Sequence, residues 1–318
     1  MTARAPKPRV VKTSISTSEL TPRFSSFPAL GPNGFSRVSY TEWGPEQSER
    51  TVICLHGLTR NGRDFDFIAR YLAQRGMRVV APDLPGRGRS ERLQHAEDYA
   101  TPAYLGAMAG LLARLQVHEV DWIGTSLGAH IGMELAAKHA APIRRLVMND
   151  FGARTQGAAL NRLGNYLRLQ QHFRTLEDLE QHMRTIYAPF GDLTDAQWLH
   201  MTEHSADLGS DGFYRQNYDP AIKSQFLWPS MLDIVLWHVW ERVTCPVLIM
   251  RGQHSDLLLP FTVTRMQQRG IAAARGLVQA VEIPGCGHAP SLMSLDQMQL
   301  IEAFLMDDDD SVEAAQSA

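Results

Sequence analysis

The chain has 318 residues, a formal net charge of −3 and three cysteines. This length allows one large domain with an insertion or two small domains, and the nearly balanced charge lacks the basic stripe typical of nucleic-acid-binding proteins. Three cysteines do not suit a disulfide framework, so we expect a reducing compartment. The polar N-terminus lacks the apolar segment of a secretion signal, and no run reaches transmembrane length. We therefore expect a cytoplasmic protein without nucleic-acid or membrane partners.

Strand and helix signals alternate along the chain, which predicts an α/β fold with a mostly parallel sheet flanked by helices. Predicted strands cover residues 38–43, 52–55, 78–82, 119–123, 144–148, 246–250 and 280–283. Predicted helices cover residues 64–74, 102–115 and 292–305.

One segment interrupts this alternation. Residues 152–240 are polar and rich in aromatic side chains, have a helical pattern and contain no strand-like run, which indicates an insertion between two strands of the sheet. We therefore divide the chain into an N-terminal extension (1–30), an α/β core (31–151 and 241–306), a helical insertion (152–240) and a disordered acidic tail (307–318).

The sequence Gly124-Thr125-Ser126-Leu127-Gly128 follows a predicted buried strand and precedes a helical pattern. A Gly-x-Ser-x-Gly motif in this context predicts a nucleophile elbow, the sharp turn from strand to helix that leaves a serine hydroxyl exposed. Ser126 is therefore the candidate nucleophile.

A serine nucleophile needs a base and an acid. His288 lies in a Gly- and Pro-rich loop directly after a predicted strand, where it could act as general base. Two carboxylates follow strand ends and could orient the His288 imidazole. We favour Asp256, because the length of the loop between its strand and the acid suits the usual position, and we keep Asp150 as the alternative acid. The alternative role for Asp150 is a turn or helix cap at the start of the insertion.

Acyl transfer also needs hydrogen-bond donors for the developing oxyanion. The residue after the nucleophile, Leu127, can offer its backbone N–H, and Leu58 after the strand ending in His56-Gly57 can offer a second one. We expect His56 itself to be structural, bonding the backbone of its loop, rather than a second base.

Several motifs occur in a fixed order that resembles the α/β-hydrolase superfamily. They are His56-Gly57, the run from Ala81 to Ser90 (APDLPGRGRS), the Ser126 elbow, Asp256 and the Gly287-His288 loop. The resemblance covers residues 36–305 and implies an eight-stranded, mostly parallel sheet with a helical cap over the site. It also implies a Ser126-Asp256-His288 triad, with the Leu58 and Leu127 amides as the oxyanion hole.

Residues 200–204 (HMTEH) match the reversed zinc-protease pattern, with two histidines on one helix face. No third ligand is evident, so we interpret them as an exposed face of the cap and expect no metal and no organic cofactor.

The leading hypothesis is a serine hydrolase that cleaves small to medium, largely apolar carboxylic esters through an acyl-enzyme. The same triad would serve a carbon–carbon bond hydrolase of ring-cleavage diketones, and a non-enzymatic ligand-binding protein could also keep these motifs. The sequence leaves the oligomeric state and the physiological substrate open.

Overall fold

The computed structural model describes residues 20–168, 171–226 and 232–307, and it describes their side chains except those of residues 168, 225 and 226. Within these residues, the chain forms one eight-stranded sheet of order β1-β2-β4-β3-β5-β6-β7-β8. The strands are β1 (Arg23–Gly31), β2 (Gly34–Trp43), β3 (Thr51–Leu55), β4 (Arg78–Pro82), β5 (Val120–Thr125), β6 (Ile143–Asn149), β7 (Val247–Gly252) and β8 (Val278–Ile283). The pairings are antiparallel between β1, β2 and β4 and parallel from β4 to β8, which confirms the expected fold class.

The central strands are buried on both faces, because helices cover the sheet on either side. Side chains of β3 alternate between two apolar clusters: Ile53 and Leu55 belong to one, and Val52 and Cys54 to the other. The helices are α1 (Asp66–Ala73), α2 (Thr101–Leu115), α3 (Leu127–Ala136), α4 (Gly157–Arg168), α5 (Leu176–Ile186), α6 (Asp195–Ser205), α7 (Trp237–Trp240), α8 (Pro260–Met266), α9 (Ile271–Ala274) and α10 (Leu295–Met306). The first cluster includes residues of α2 and α3, and the second includes residues of α1 and α10.

The sheet begins earlier than the sequence indicated. Strand β1 lies largely within residues 1–30, which we expected to form an extension, and it pairs along its length with β2. Only alternate residues such as Phe27 and Ala29 are buried, and Pro28 interrupts the strand pattern. Proline is tolerated here because β1 is an edge strand. Residues 1–19 lie outside the described part of the chain.

The insertion between β6 and β7, which we call the cap (residues 152–240), carries helices α4 to α7. Contrary to expectation, it also contains short strands: Arg154–Thr155 pairs with Ile234–Val235, and Ala206–Leu208 pairs with Tyr214–Gln216. Each is only two or three residues long, too short to produce an alternating pattern. Of the expected acidic tail, only Asp307 is described.

An apolar cluster within the cap joins α5 to α6 through Leu179, Met183, Trp198 and Met201, and it extends to Met293 of the core. Capping boxes at Thr175 and Thr194 fix the start of both helices. No helix in the described residues is long and apolar enough to span a membrane.

Candidate active site

Ser126 lies at the turn between β5 and α3, with backbone angles φ 53° and ψ −112°. Its backbone N–H donates to the carbonyl of Asn149 at 2.9 Å. The two glycines of the motif permit this turn, since a Cβ on Gly124 would lie 2.3 Å from Gly128 and a Cβ on Gly128 would lie 1.9 Å from the carbonyl oxygen of Leu55. The motif therefore forms the strand–turn–helix elbow that the sequence predicts.

His288 follows β8 and bridges two side chains. Its Nε2 lies 2.9 Å from Ser126 Oγ, and its Nδ1 lies 2.7 Å from Asp150 Oδ2. The side chain of Asp150 is fully buried and that of His288 is 11% exposed. Serine, imidazole and carboxylate thus form a continuous chain of hydrogen bonds in the order that nucleophilic catalysis requires.

Sheet register explains why these groups meet. Thr125 of β5 pairs with Asn149 of β6, so the next residues, Ser126 and Asp150, leave the same edge of the sheet side by side. Asp150 is then fixed by three donors: the Gly252 N–H at 2.9 Å to Oδ1, the Ser255 hydroxyl at 2.6 Å and His288 to Oδ2. Both carboxylate oxygens are therefore satisfied, and one is aimed at the imidazole.

The structure contradicts the preferred acid. Asp256 does not contact His288; it forms a bidentate ion pair with Arg162 of α4, with both bonds 2.8 Å long, and both side chains are about half exposed. Neighbouring residues of the loop after β7 point in opposite directions, so Ser255 turns inward to Asp150 and Asp256 turns toward the cap. The alternative acid, Asp150, occupies the position at His288.

The candidate oxyanion donors lie beside the nucleophile. Leu58 lines the same cavity as Ser126, and Leu127 is the first residue of α3, where backbone N–H groups are free of intrahelical bonds. The neighbouring Gly57 approaches closely: a Cβ there would lie 3.7 Å from the Cβ of Ser126. Their role as donors stays a prediction.

His56 is structural, as expected. It is buried, its Nδ1 donates to the Gly57 carbonyl at 2.7 Å, and its Nε2 accepts from the Leu84 N–H at 2.9 Å. These bonds fix a neutral tautomer and tie the loop after β3 to the loop after β4. Burial is the main reason that the pKa of His56 falls to about 3.

A cavity of about 700 Å³ opens over Ser126 and His288. The core side is formed by the Gly57–Arg60 loop, and apolar cap residues form much of the rest: Leu163, Tyr166, Ile186, Tyr187, Pro189 and Phe190. Of the cap aromatics, Tyr187 and Phe190 come from the end of α5 and the turn after it. Such a lining suits a largely apolar ligand with a few polar groups.

Hydrogen bonds connect the cap to the loop that carries Leu58. The Tyr187 hydroxyl lies 3.1 Å from Thr59 Oγ1 and accepts from Gln216 Nε2 at 3.2 Å. Gln216 in turn accepts from the Tyr166 hydroxyl at 2.9 Å. Sequence reasoning missed this network, because its members are far apart in the chain.

The histidines of the HMTEH motif are half-buried rather than exposed, since α6 packs near the start of α1. Asp66 joins them, and potential ligand atoms of Asp66, His200 and His204 lie within 4.8 Å of one another. However, both oxygens of Asp66 accept from the Arg63 guanidinium. The carboxylate therefore already has a cationic partner.

A family model described as the alpha/beta hydrolase family matches residues 52–302. The chain is 40% identical over 293 residues to the 3-hydroxybutyrate-oligomer hydrolase of Cupriavidus necator, covering 89% of this chain and 97% of that protein. It is 26% identical over 238 residues to the 2-(acetamidomethylene)succinate hydrolase of Mesorhizobium japonicum, covering 74% of this chain and 81% of that one. The crystal structure of an alpha/beta hydrolase from Novosphingobium aromaticivorans aligns with a TM-score of 0.77 at 30% identity, covering 89% of this chain and 98% of that one.

Proposed function

Since the chain belongs to the alpha/beta hydrolase family, we propose that it is a serine ester hydrolase whose substrates are short oligomers of 3-hydroxybutyrate. The proposed chemistry is supported by the chain of hydrogen bonds from Ser126 through His288 to the buried Asp150. The substrate class rests on the similarity to the Cupriavidus necator protein, which extends over nearly the whole of both chains.

In the proposed mechanism, Ser126 Oγ attacks the ester carbonyl while His288 Nε2 takes its proton. Asp150 orients the imidazole and stabilises its positive charge. The backbone N–H groups of Leu58 and Leu127 stabilise the tetrahedral oxyanion. Collapse of this intermediate transfers the proton to the leaving alkoxide oxygen, releases the hydroxy acid and leaves a 3-hydroxyacyl ester on Ser126. Water, activated by His288, then releases the second acid.

The cavity is compatible with such a substrate. Its volume of about 700 Å³ lies within the range of typical small-molecule sites. The methyl-substituted backbone of a hydroxybutyrate oligomer would contact apolar cap residues such as Leu163, Ile186 and Phe190. Its esters and its single terminal carboxylate would need polar partners.

The first test compares wild type with Ser126→Ala on 3-hydroxybutyrate dimer and on p-nitrophenyl butyrate. Without its nucleophile, the variant should lose at least about a thousandfold in kcat on both substrates. A fluorophosphonate probe should label wild type and Ser26→Ala, a control at an exposed position of strand β1, but not Ser126→Ala.

Near-wild-type turnover by Ser126→Ala would refute the assignment of the nucleophile. Hydrolysis of a vinylogous diketone without any ester hydrolysis would favour carbon–carbon bond cleavage. A folded wild-type protein that neither turns over esters nor reacts with the probe would favour a ligand-binding protein.

A further inference from the structure

Arg60 is a buried cation in the wall of the proposed active site. Its side chain is only 4% exposed, and it lines the same cavity as Ser126 and His288. A tight turn after β3, closed by the Arg60 N–H donating to the Gly57 carbonyl at 3.3 Å, carries this side chain two residues beyond Leu58. The loop that would supply an oxyanion donor therefore also places a guanidinium in the cavity.

One edge of this guanidinium is paired with Asp64, and one nitrogen outside that pair lacks a hydrogen bond. Nε and Nη2 both donate to the Asp64 carboxylate, with the Nε bond 2.7 Å long, and the Tyr187 ring centroid lies 4.7 Å from the guanidinium carbon. Nη1, although buried, makes no hydrogen bond within the described residues. Among the described residues that line the cavity, Arg60 is the one with such an unpaired buried nitrogen.

An unsatisfied buried donor destabilises the folded chain, and more so when the group is charged. Because buried polar groups are nearly always hydrogen-bonded, an unpaired donor on a residue of the cavity wall needs an acceptor, and a ligand could supply one. Burial alone lowers the pKa of Arg60, but the Asp64 carboxylate and, after it, the Tyr187 hydroxyl more than offset this and hold the pKa above its ordinary value. The guanidinium is ionised in any protein environment, and the Asp64 pair fixes its orientation.

Arg162 is the other arginine of the cavity, and it is a weaker candidate for a ligand. Its side chain is 54% exposed, and Asp256 accepts from two of its nitrogens. An exposed ion pair of this kind is screened by water and contributes little to binding. Arg162 therefore serves as a matched control for Arg60.

Resting on the proposed function, we propose that Arg60 Nη1 binds the free carboxylate of the hydroxy acid unit that leaves in the first step. In a linear hydroxybutyrate oligomer, the only carboxylate is at one end, about 5 Å from the carbonyl carbon of the last ester by ordinary bond lengths. A guanidinium in the wall of the same cavity therefore selects that last ester for cleavage. Oligomers enter carboxyl end first and are shortened from that end.

The experiment measures kcat/KM for two substrates: the 3-hydroxybutyrate dimer as free acid, and the same dimer with its terminal carboxylate converted to a primary amide. The amide keeps the scissile ester and a carbonyl acceptor but has no charge. We expect wild type to prefer the acid by about 10- to 100-fold, the range of a charge-assisted hydrogen bond. Arg60→Gln should reduce this acid-to-amide ratio to near one, and Arg162→Gln should leave it unchanged.

A second variant guards against misfolding, because Arg60→Gln leaves Asp64 without its partner. Arg60→Lys keeps a positive charge beside Asp64 but lacks the planar fork that can serve two acceptors, so it should also lose most of the acid preference. A wild-type ratio near one, an equal loss on both substrates in Arg60→Gln, or a ratio that changes only in Arg162→Gln would each overturn the subsite. None of these would affect the proposed ester hydrolysis, which fails only if wild type hydrolyses neither the dimers nor p-nitrophenyl butyrate.

Discussion

The carboxylate that contacts His288 is held by the ends of two neighbouring strands. Asp150 directly follows β6, its N–H donates to the Met250 carbonyl of β7 at 2.8 Å, and its Oδ1 accepts from Gly252 at the end of β7. Asp256 has no such support and is about half exposed. The environment of each carboxylate therefore favours Asp150 as the acid of the proposed mechanism.

This assignment predicts opposite results for two conservative substitutions. Asp150→Asn keeps the shape of the side chain but removes the charge that fixes the imidazole tautomer, so kcat should fall by about 10⁴-fold. Asp256→Asn disrupts only an exposed ion pair and should change kcat by less than about fivefold. Steady-state kinetics on p-nitrophenyl butyrate, with thermal melts to confirm folding, would measure both; the reverse order of effects would restore Asp256 as the acid.

At the scale of elements, the sequence predicted most of the sheet and less of the cap. Strand β4 was predicted with its observed bounds because its apolar run is continuous and ends at Asp83. Strand β1 was missed since it buries only one face and contains Pro28. The acid was misplaced because loop length says nothing about which of Ser255 and Asp256 turns inward, a choice that packing decides.

The sequence could not predict where the cap lies over the core. A substitution at Tyr187 tests whether the hydrogen bonds of its hydroxyl hold the cap there. Tyr187→Phe keeps the ring against Arg60 but removes the hydroxyl that connects Thr59 and Gln216. Losing one to two net hydrogen bonds should loosen the cap over the substrate and raise KM by about 5- to 30-fold, while the melting temperature falls by only a few degrees. Tyr71→Phe on α1, far along the chain from the cap, is the control; an unchanged KM in Tyr187→Phe would mean that these bonds do not position the cap.

For the whole molecule, the buried neutral His56 makes stability depend on pH. Its pKa is about 3 in the folded chain and about 6.5 when unfolded, so the unfolded chain binds the extra proton between these values. This contribution to stability is present above about pH 6.5 and is lost as the pH falls toward 3. Buried Asp83 acts oppositely, since burial raises its pKa to about 6 and the folded chain takes up a proton first as the pH falls.

The melting temperatures of variants distinguish the contribution of His56 from that of Asp83. His56→Gln should be less stable than wild type at pH 7, but its melting temperature should fall less between pH 7 and pH 5. Exposed His139→Gln should follow the wild-type pH dependence. If His56→Gln and wild type lose the same number of degrees over this interval, His56 is not the titrating group.

The pairing of Thr125 with Asn149 determines which mutations can alter substrate selectivity without abolishing the reaction. The proposed nucleophile, Ser126, and the proposed acid, Asp150, follow adjacent paired strands, so their spacing is set by the backbone of the sheet. The cap contributes Arg162 and Tyr166 to the cavity without setting that spacing, whereas the loop after β7 also carries Ser255, which holds Asp150. Mutational libraries confined to the cap should therefore yield enzymes with new selectivity and an intact reaction, whereas insertions within β5 or β6 should abolish turnover for every ester.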